Sequence, residues 1–187
     1  SQEAVTSPAR RTELATGQHP AAIILGCSDS RVPPELVFDQ GLGELFVIRV
    51  AGNVLCPSVI GSVEFAAEFC GARLVVVLGH SRCGAIAATL QELQQPTARR
   101  SRNLRAIIDG IRPAVEGLTM TELRDDPEML AREAMRANVR ASADGLRHSS
   151  NVLENLISSD GLKIVGAEYL LDTGEVEFIH GVRDADV

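Results

Sequence analysis

Short apolar runs separated by turn-forming residues set the rhythm of this chain. Ala21–Leu25, Leu45–Arg49, Leu74–Gly79 and Lys163–Leu171 are rich in Val, Ile and Leu and nearly free of interior charge. Runs of that length, without polar alternation, suit strands buried on both faces of a parallel sheet. Helical patterns lie between them. Pro33-Pro34 opens a short helix over Glu35–Phe38, and Pro57-Ser58 reads as the cap of a helix from Val59 to about Cys70. Gly84–Leu90 follows the third strand as a small-residue helix, and Asn103–Ile111 reads as another, halted near Pro113. The longest helical stretch runs over 127–158, with Met129, Ala134, Val139, Leu146, Val152, Leu153, Leu156 and Ile157 as its apolar stripe and Gly145 as the expected break. Asp172-Thr173-Gly174 then turns the chain into Glu175–Ile179 as a hairpin. Strands alternating with helices predict an α/β fold. Its central sheet is mostly parallel and flanked by helices, with an antiparallel C-terminal edge strand.

Composition adds bounds to this picture. The 187 residues fit one domain, 1–187, in which polar residues 1–20 form an N-terminal arm and Pro96–Ser101 a loop. A net charge of −7 and an aromatic content of 3% without Trp argue against a nucleic-acid partner. No apolar run approaches the roughly 20 residues that span a bilayer, so no membrane association is expected. The N-terminus shows no basic segment followed by an apolar core, and four cysteines are too few for a disulfide scaffold. A reducing cytoplasm is the expected location.

The chemistry gathers at two strand ends. Gly26-Cys27-Ser28-Asp29-Ser30-Arg31 follows the first run, and His80-Ser81-Arg82-Cys83-Gly84 follows the third. Ligands of open α/β sheets bind beyond the carboxyl ends of strands, and adjacent parallel strands would bring Cys27, His80 and Cys83 together. Two thiolates and an imidazole are three ligands for Zn2+, with the fourth position open or taken by Asp29. In extended backbone, alternate residues share a face, so Cys27, Asp29 and Arg31 are expected to point the same way. A bidentate Arg31–Asp29 pair would keep the carboxylate off the metal, and losing the pair would let Asp29 displace water.

These motifs resemble those of the β-class carbonic anhydrases. The likeness rests on Cys27–Arg31 and Gly79–Gly84, supported by Glu44–Asn53 and Gly61–Phe65, and it covers roughly residues 17 to 181. It implies zinc on Cys27, His80 and Cys83, with Asp29 and Arg31 as a catalytic dyad and Asp29 on the metal in a closed state. The implied reaction is attack of zinc hydroxide on carbon dioxide to give bicarbonate and a proton. The implied assembly is a homodimer or homotetramer with sites at the subunit interface. By the same resemblance Gln18 hydrogen-bonds substrate from the facing subunit, Phe46, Ala51 and Phe65 wall the pocket, and Gly84 offers a backbone N–H to bicarbonate. One subgroup closes its site through a Trp, Arg and Tyr pocket; Arg49 and Tyr169 match two of these, but Ile24 stands in place of the Trp. That departure and Gln18 imply the constitutively open subgroup. Few residues precede the first strand, whereas the family usually carries helices there that wrap a partner.

Two rivals remain at this level: a hydrolase of carbon disulfide or carbonyl sulfide on the same scaffold, and a silent zinc or anion module with Asp29 on the metal. Cys56 and Cys70 read as small buried hydrophobes. His19, His148 and His180 have no partner legible in the sequence, and Arg99-Arg100-Ser101-Arg102 reads as a solvated loop.

Overall fold

A computed structural model of the chain describes residues 7–96 and 101–182. The elements in order are α1 (Pro8–Leu14), β1 (Ala22–Gly26), α2 (Pro34–Val37), β2 (Leu45–Arg49), a 3-10 turn (Ala51–Asn53), α3 (Pro57–Phe69), β3 (Leu74–His80) and α4 (Gly84–Gln94). Then come α5 (Arg102–Val115), two further 3-10 turns (Glu116–Met120, Glu122–Asp125), α6 (Pro127–Arg147), α7 (Asn151–Ser159), β4 (Lys163–Tyr169) and β5 (Val176–His180). The sheet runs β2-β1-β3-β4-β5, parallel through β4, with β5 antiparallel at the edge. The fold class is α/β, as the apolar rhythm predicts.

Each parallel strand sends alternate residues to opposite faces. Ile23, Leu25, Val75, Val77 and Ile164 face a thick layer that includes Val63, Ala67, Ile111, Ala134, Val139 and Leu146. Ala22, Ile24, Val76, Leu78, Val165 and Ala167 face a thinner cover of Val32, Val37 and Phe38. Both faces are apolar because both are covered, which explains why the strands lack polar alternation. From β1 the chain passes to β2 on one side, and then returns across to β3 on the other. The carboxyl ends of β1 and β3 therefore flank a point where strand order reverses, the usual crevice of an open α/β sheet.

Several boundaries differ from the sequence expectations. The polar arm contains α1, capped by the Ser7 side chain and tied to the turn before β2 by an Arg10–Glu44 pair at 2.6 Å. Helix α3 begins at Pro57 itself, with Cys56 as the cap position, so Ser58 is not the cap. Pro113 sits inside α5 and does not end it. It removes a single ladder donor, and the burial of Ile108, Ile111 and Val115 carries the helix through. The long helical stretch breaks at His148–Ser150, where the Ser150 side chain caps α7, and not at Gly145. Gly145 lies within α6, and a Cβ there would come within 2.7 Å of Leu55 Cδ1, so the small residue serves packing. Met129 is exposed, and Leu130 occupies the stripe instead, one position round the helix. The Arg99 and Arg100 part of the basic cluster lies outside the described residues, as does most of the 96–101 loop.

Candidate metal centre

Cys27 leaves the end of β1, His80 closes β3, and Cys83 stands at the N-cap position of α4. One ligand atom from each lies within 4.8 Å of the others, and all three residues are buried. The His80 Nδ1 is 2.9 Å from Ser81 O, a bond that requires the proton on Nδ1 and leaves the Nε2 lone pair free. Nε2 is buried with no hydrogen-bond partner. A buried unpaired acceptor beside two thiols is costly unless an electrophile completes it, and the donor set fits zinc. The Cys83 side chain is the main influence lowering the Cys27 thiol, against burial and with help from His80 and the Gly52 amide. Cys83 is pushed up by the same contact with Cys27 and by burial.

The Arg31–Asp29 pair is assembled by a turn and not by strand alternation. Val32 N–H donates to Asp29 O at 3.1 Å, so the chain bends at Ser30-Arg31. The Arg31 backbone N–H then reaches Asp29 Oδ1 at 3.0 Å, an Asx turn that folds Arg31 back over the carboxylate. Arg31 Nε donates to Oδ1 at 2.9 Å and Nη2 to Oδ2 at 2.7 Å. The expected bidentate pair is present, built by different backbone geometry. Its guanidinium holds the Asp29 carboxyl well below the usual carboxylate range, outweighing burial. Asp29 Oδ2 lies 3.8 Å from His80 Nε2, beside the three ligand candidates.

A surrounding shell fixes the cluster. Arg49, in register with Gly26 on β2, donates from Nε to Cys27 O at 3.1 Å and from Nη2 to Asp29 O at 2.8 Å. Gly52 N–H points at Cys27 Sγ at 3.3 Å, while Asn138 of α6 holds Gly52 O at 2.8 Å and Ser142 holds Asn53 O at 3.3 Å. These anchors went unread in the sequence. Their signal was there, since Asn138 and Ser142 are polar positions four apart inside the apolar stripe of the longest helix.

The remaining expected site residues lie on several elements. Gly84 opens α4 immediately after Cys83 and is exposed; Ala51 begins the 3-10 turn beside Gly52. The Phe46 and Phe65 rings are 6.2 Å apart, and Phe65 stacks on Phe69 at 5.2 Å. Phe65 is 48% exposed and Phe69 74%, so these two rings face outward, while Phe46 packs against the core. Gln18 is exposed and lines a hollow with Leu14, Thr16 and Leu42 whose walls include none of the three ligand candidates. Ile24 is buried under the thin cover, against which Tyr169 packs. Cys70 is buried as expected, but Cys56 is half-buried and contacts Ser58 Oγ at 3.3 Å. His180, which the sequence left unpartnered, sits 2.7 Å from Asp144 Oδ1.

Comparison with known proteins agrees with this architecture. The carbonic anhydrase family model matches residues 22–176. The chain is 37% identical over 169 residues to carbonic anhydrase 2 of Mycobacterium tuberculosis, covering 88% of this chain and 76% of that one. Against the carbonic anhydrase of Mycolicibacterium smegmatis it is 36% identical over 173 residues, covering 90% and 79%. The β-carbonic anhydrase CafA of Aspergillus fumigatus superposes with a TM-score of 0.82 at 25% identity, covering 96% of this chain and 84% of that one. One of two tetrameric β-carbonic anhydrases from Sordaria macrospora superposes at 0.81 with 24% identity, covering 92% and 87%. With sequence kinship and backbone likeness both extending over most of its length, the chain belongs to the β-carbonic anhydrase family.

Proposed function

We propose that this chain, acting as one domain over 1–187, catalyses the reversible hydration of carbon dioxide to bicarbonate and a proton at a zinc ion held by Cys27, His80 and Cys83. One observation carries the reading. The unpaired His80 Nε2 faces two thiols, while Arg31 holds the Asp29 carboxylate next to them. Zinc on two thiolates and an imidazole acidifies water and so supplies a nucleophile near neutral pH.

The rest of the work falls to the protein. Asp29, ionised by its pairing with Arg31, accepts a hydrogen bond from the nucleophile and orients it toward carbon. Because its carboxyl sits so low, Asp29 is not where the released proton rests, and the proton passes on to solvent or buffer. Arg31 keeps the carboxylate from becoming a fourth ligand. Phe46, Ala51 and Phe65 supply the apolar walls, the Gly84 N–H at the head of α4 is a donor for bicarbonate, and Gln18 serves from a facing subunit.

A homodimer or homotetramer is supported by the exposed Phe65–Phe69 stack, which a second copy would cover. A reducing, cytoplasmic setting suits a site whose two thiols must stay free, and Cys27 and Cys83 are free. No helix among the described residues is long and apolar enough to cross a membrane.

Stopped-flow carbon dioxide hydration by the zinc-loaded protein tests the proposal. Rapid turnover that small anions inhibit is expected. No turnover with zinc fully bound would overturn it and turn attention to carbon disulfide or carbonyl sulfide.

A further inference from the structure

The loop carrying His80 and Cys83 is tied to the β4–β5 hairpin at three points. Ser81 N–H donates to Tyr169 O at 3.0 Å, Leu171 N–H donates to Ser81 Oγ at 3.0 Å, and Arg82 Nη1 pairs with Asp172 Oδ1 at 2.9 Å. At the last of these ties the backbone is strained, for Arg82 has a φ of +55°. Residues with a Cβ rarely adopt that region, and they hold it only where surrounding contacts enforce it. This conformation sets the direction of the Arg82 carbonyl, which accepts from Arg31 Nη2 at 3.2 Å. Nη2 is thus shared between Asp29 Oδ2 and Arg82 O. The first contact defines the dyad. The second fixes the dyad in space, because a half-exposed Arg31 bonded to Asp29 alone could move with it as a pair.

We infer that Arg82, held by Asp172 across the hairpin, is a positioning residue that aims its carbonyl at Arg31 and thereby keeps Asp29 beside the metal ligands. The inference rests on the reading that the Arg31–Asp29 pair serves the metal centre. Arg82 and Asp172 side chains are 65% and 64% exposed, so their pair is weak and its removal loosens the loop without unfolding the chain.

The test is hydrogen exchange of arginine guanidinium N–H groups by NMR in zinc-loaded, arginine-labelled protein, read for Arg31 at Nη2, the group that donates to Arg82 O. Arg82→Ala and Asp172→Ala should each speed exchange at Arg31 by about two- to five-fold, the size of a weak exposed pair. The double variant should be no faster than the faster single one, because both remove the same contact. Asp172→Glu should restore slow exchange. Arg49 Nε–H, bonded to Cys27 O on the other side of the same ligands, should be unchanged in every variant. Unaltered exchange at Arg31 in both single variants would overturn the inference. So would equal release of Arg49, which would mean general loosening. The measurement needs no carbon dioxide, so a wild type that shows this pattern yet hydrates none would overturn the proposed reaction alone.

Discussion

Gly52 is the residue whose replacement most directly tests how the metal centre is held. Its N–H points at Cys27 Sγ, its carbonyl is held by Asn138, and its φ is +65°. In Gly52→Ala the new Cβ would lie 2.7 Å from Ile111 Cδ1 and 3.0 Å from Ala85 Cβ. An L-residue in the left-handed region costs about 1–2 kcal/mol. Overpacking a filled core adds about 1–3 kcal/mol, so the sum is about 2–5 kcal/mol. For a chain of this size each kcal/mol moves Tm by about 2–4 °C, giving a fall of about 4–20 °C. Gly71 supplies the control: its φ is +74°, but nothing lies within 4 Å of its Cβ position. Gly71→Ala should therefore show the backbone cost alone, about 1–2 kcal/mol. Urea unfolding of both variants gives the comparison. If Gly52→Ala loses no more stability than Gly71→Ala, the close packing of the turn beneath Cys27 is not as described.

Other perturbations have equally definite outcomes. Arg31→Ala frees Asp29 to join the metal, so carbon dioxide hydration should fall by at least about tenfold, as for loss of a group that orients a reacting atom, while zinc content measured by absorption stays at one per chain. Arg136→Ala strips the closest cation, 2.6 Å away, from the fully buried Glu168. With Arg132 only 3.7 Å from the other oxygen as partial cover, the loss should be about 3 kcal/mol in urea unfolding, and adding Glu168→Gln should recover part of it. Burial raises the Asp144 carboxyl, but His180 and Arg147 outweigh it and leave the group lowered. A lowered carboxyl stabilises the fold above its unfolded pKa and loses that contribution as pH falls through its folded value. Asp144→Asn should therefore be less stable than wild type near neutrality, by under about 1 kcal/mol for so exposed a group, and the gap should close as the medium becomes more acidic than about pH 4.

Elements legible in the sequence are those specified by local pattern. The parallel strands stand out because both faces are buried, and Cys27, His80 and Cys83 stand out because strand ends are where such a sheet places its ligands. Helix limits were harder. Pro113 and Gly145 look like breaks when read locally, yet one is carried by the burial of its neighbours and the other is a packing contact with Leu55. The Arg31–Asp29 pair is present as expected, but its backbone is not. Alternation along an extended chain does not foresee that Asp29 accepts from the Arg31 N–H and turns the segment.

By itself, the sequence determined the α/β class, the order of the strands along the chain and the three ligand candidates, which follow from residue type and spacing, and its motifs resembled those of the family. Tertiary structure alone decided what holds those residues in place: Arg49 on Cys27 and Asp29, Asn138 beneath Gly52, Asp172 against Arg82. These contacts join residues some 20 to 90 positions apart. Hydrogen bonds are directional over about 3 Å, so they exist only once the packed sheet and helices have set every donor and acceptor.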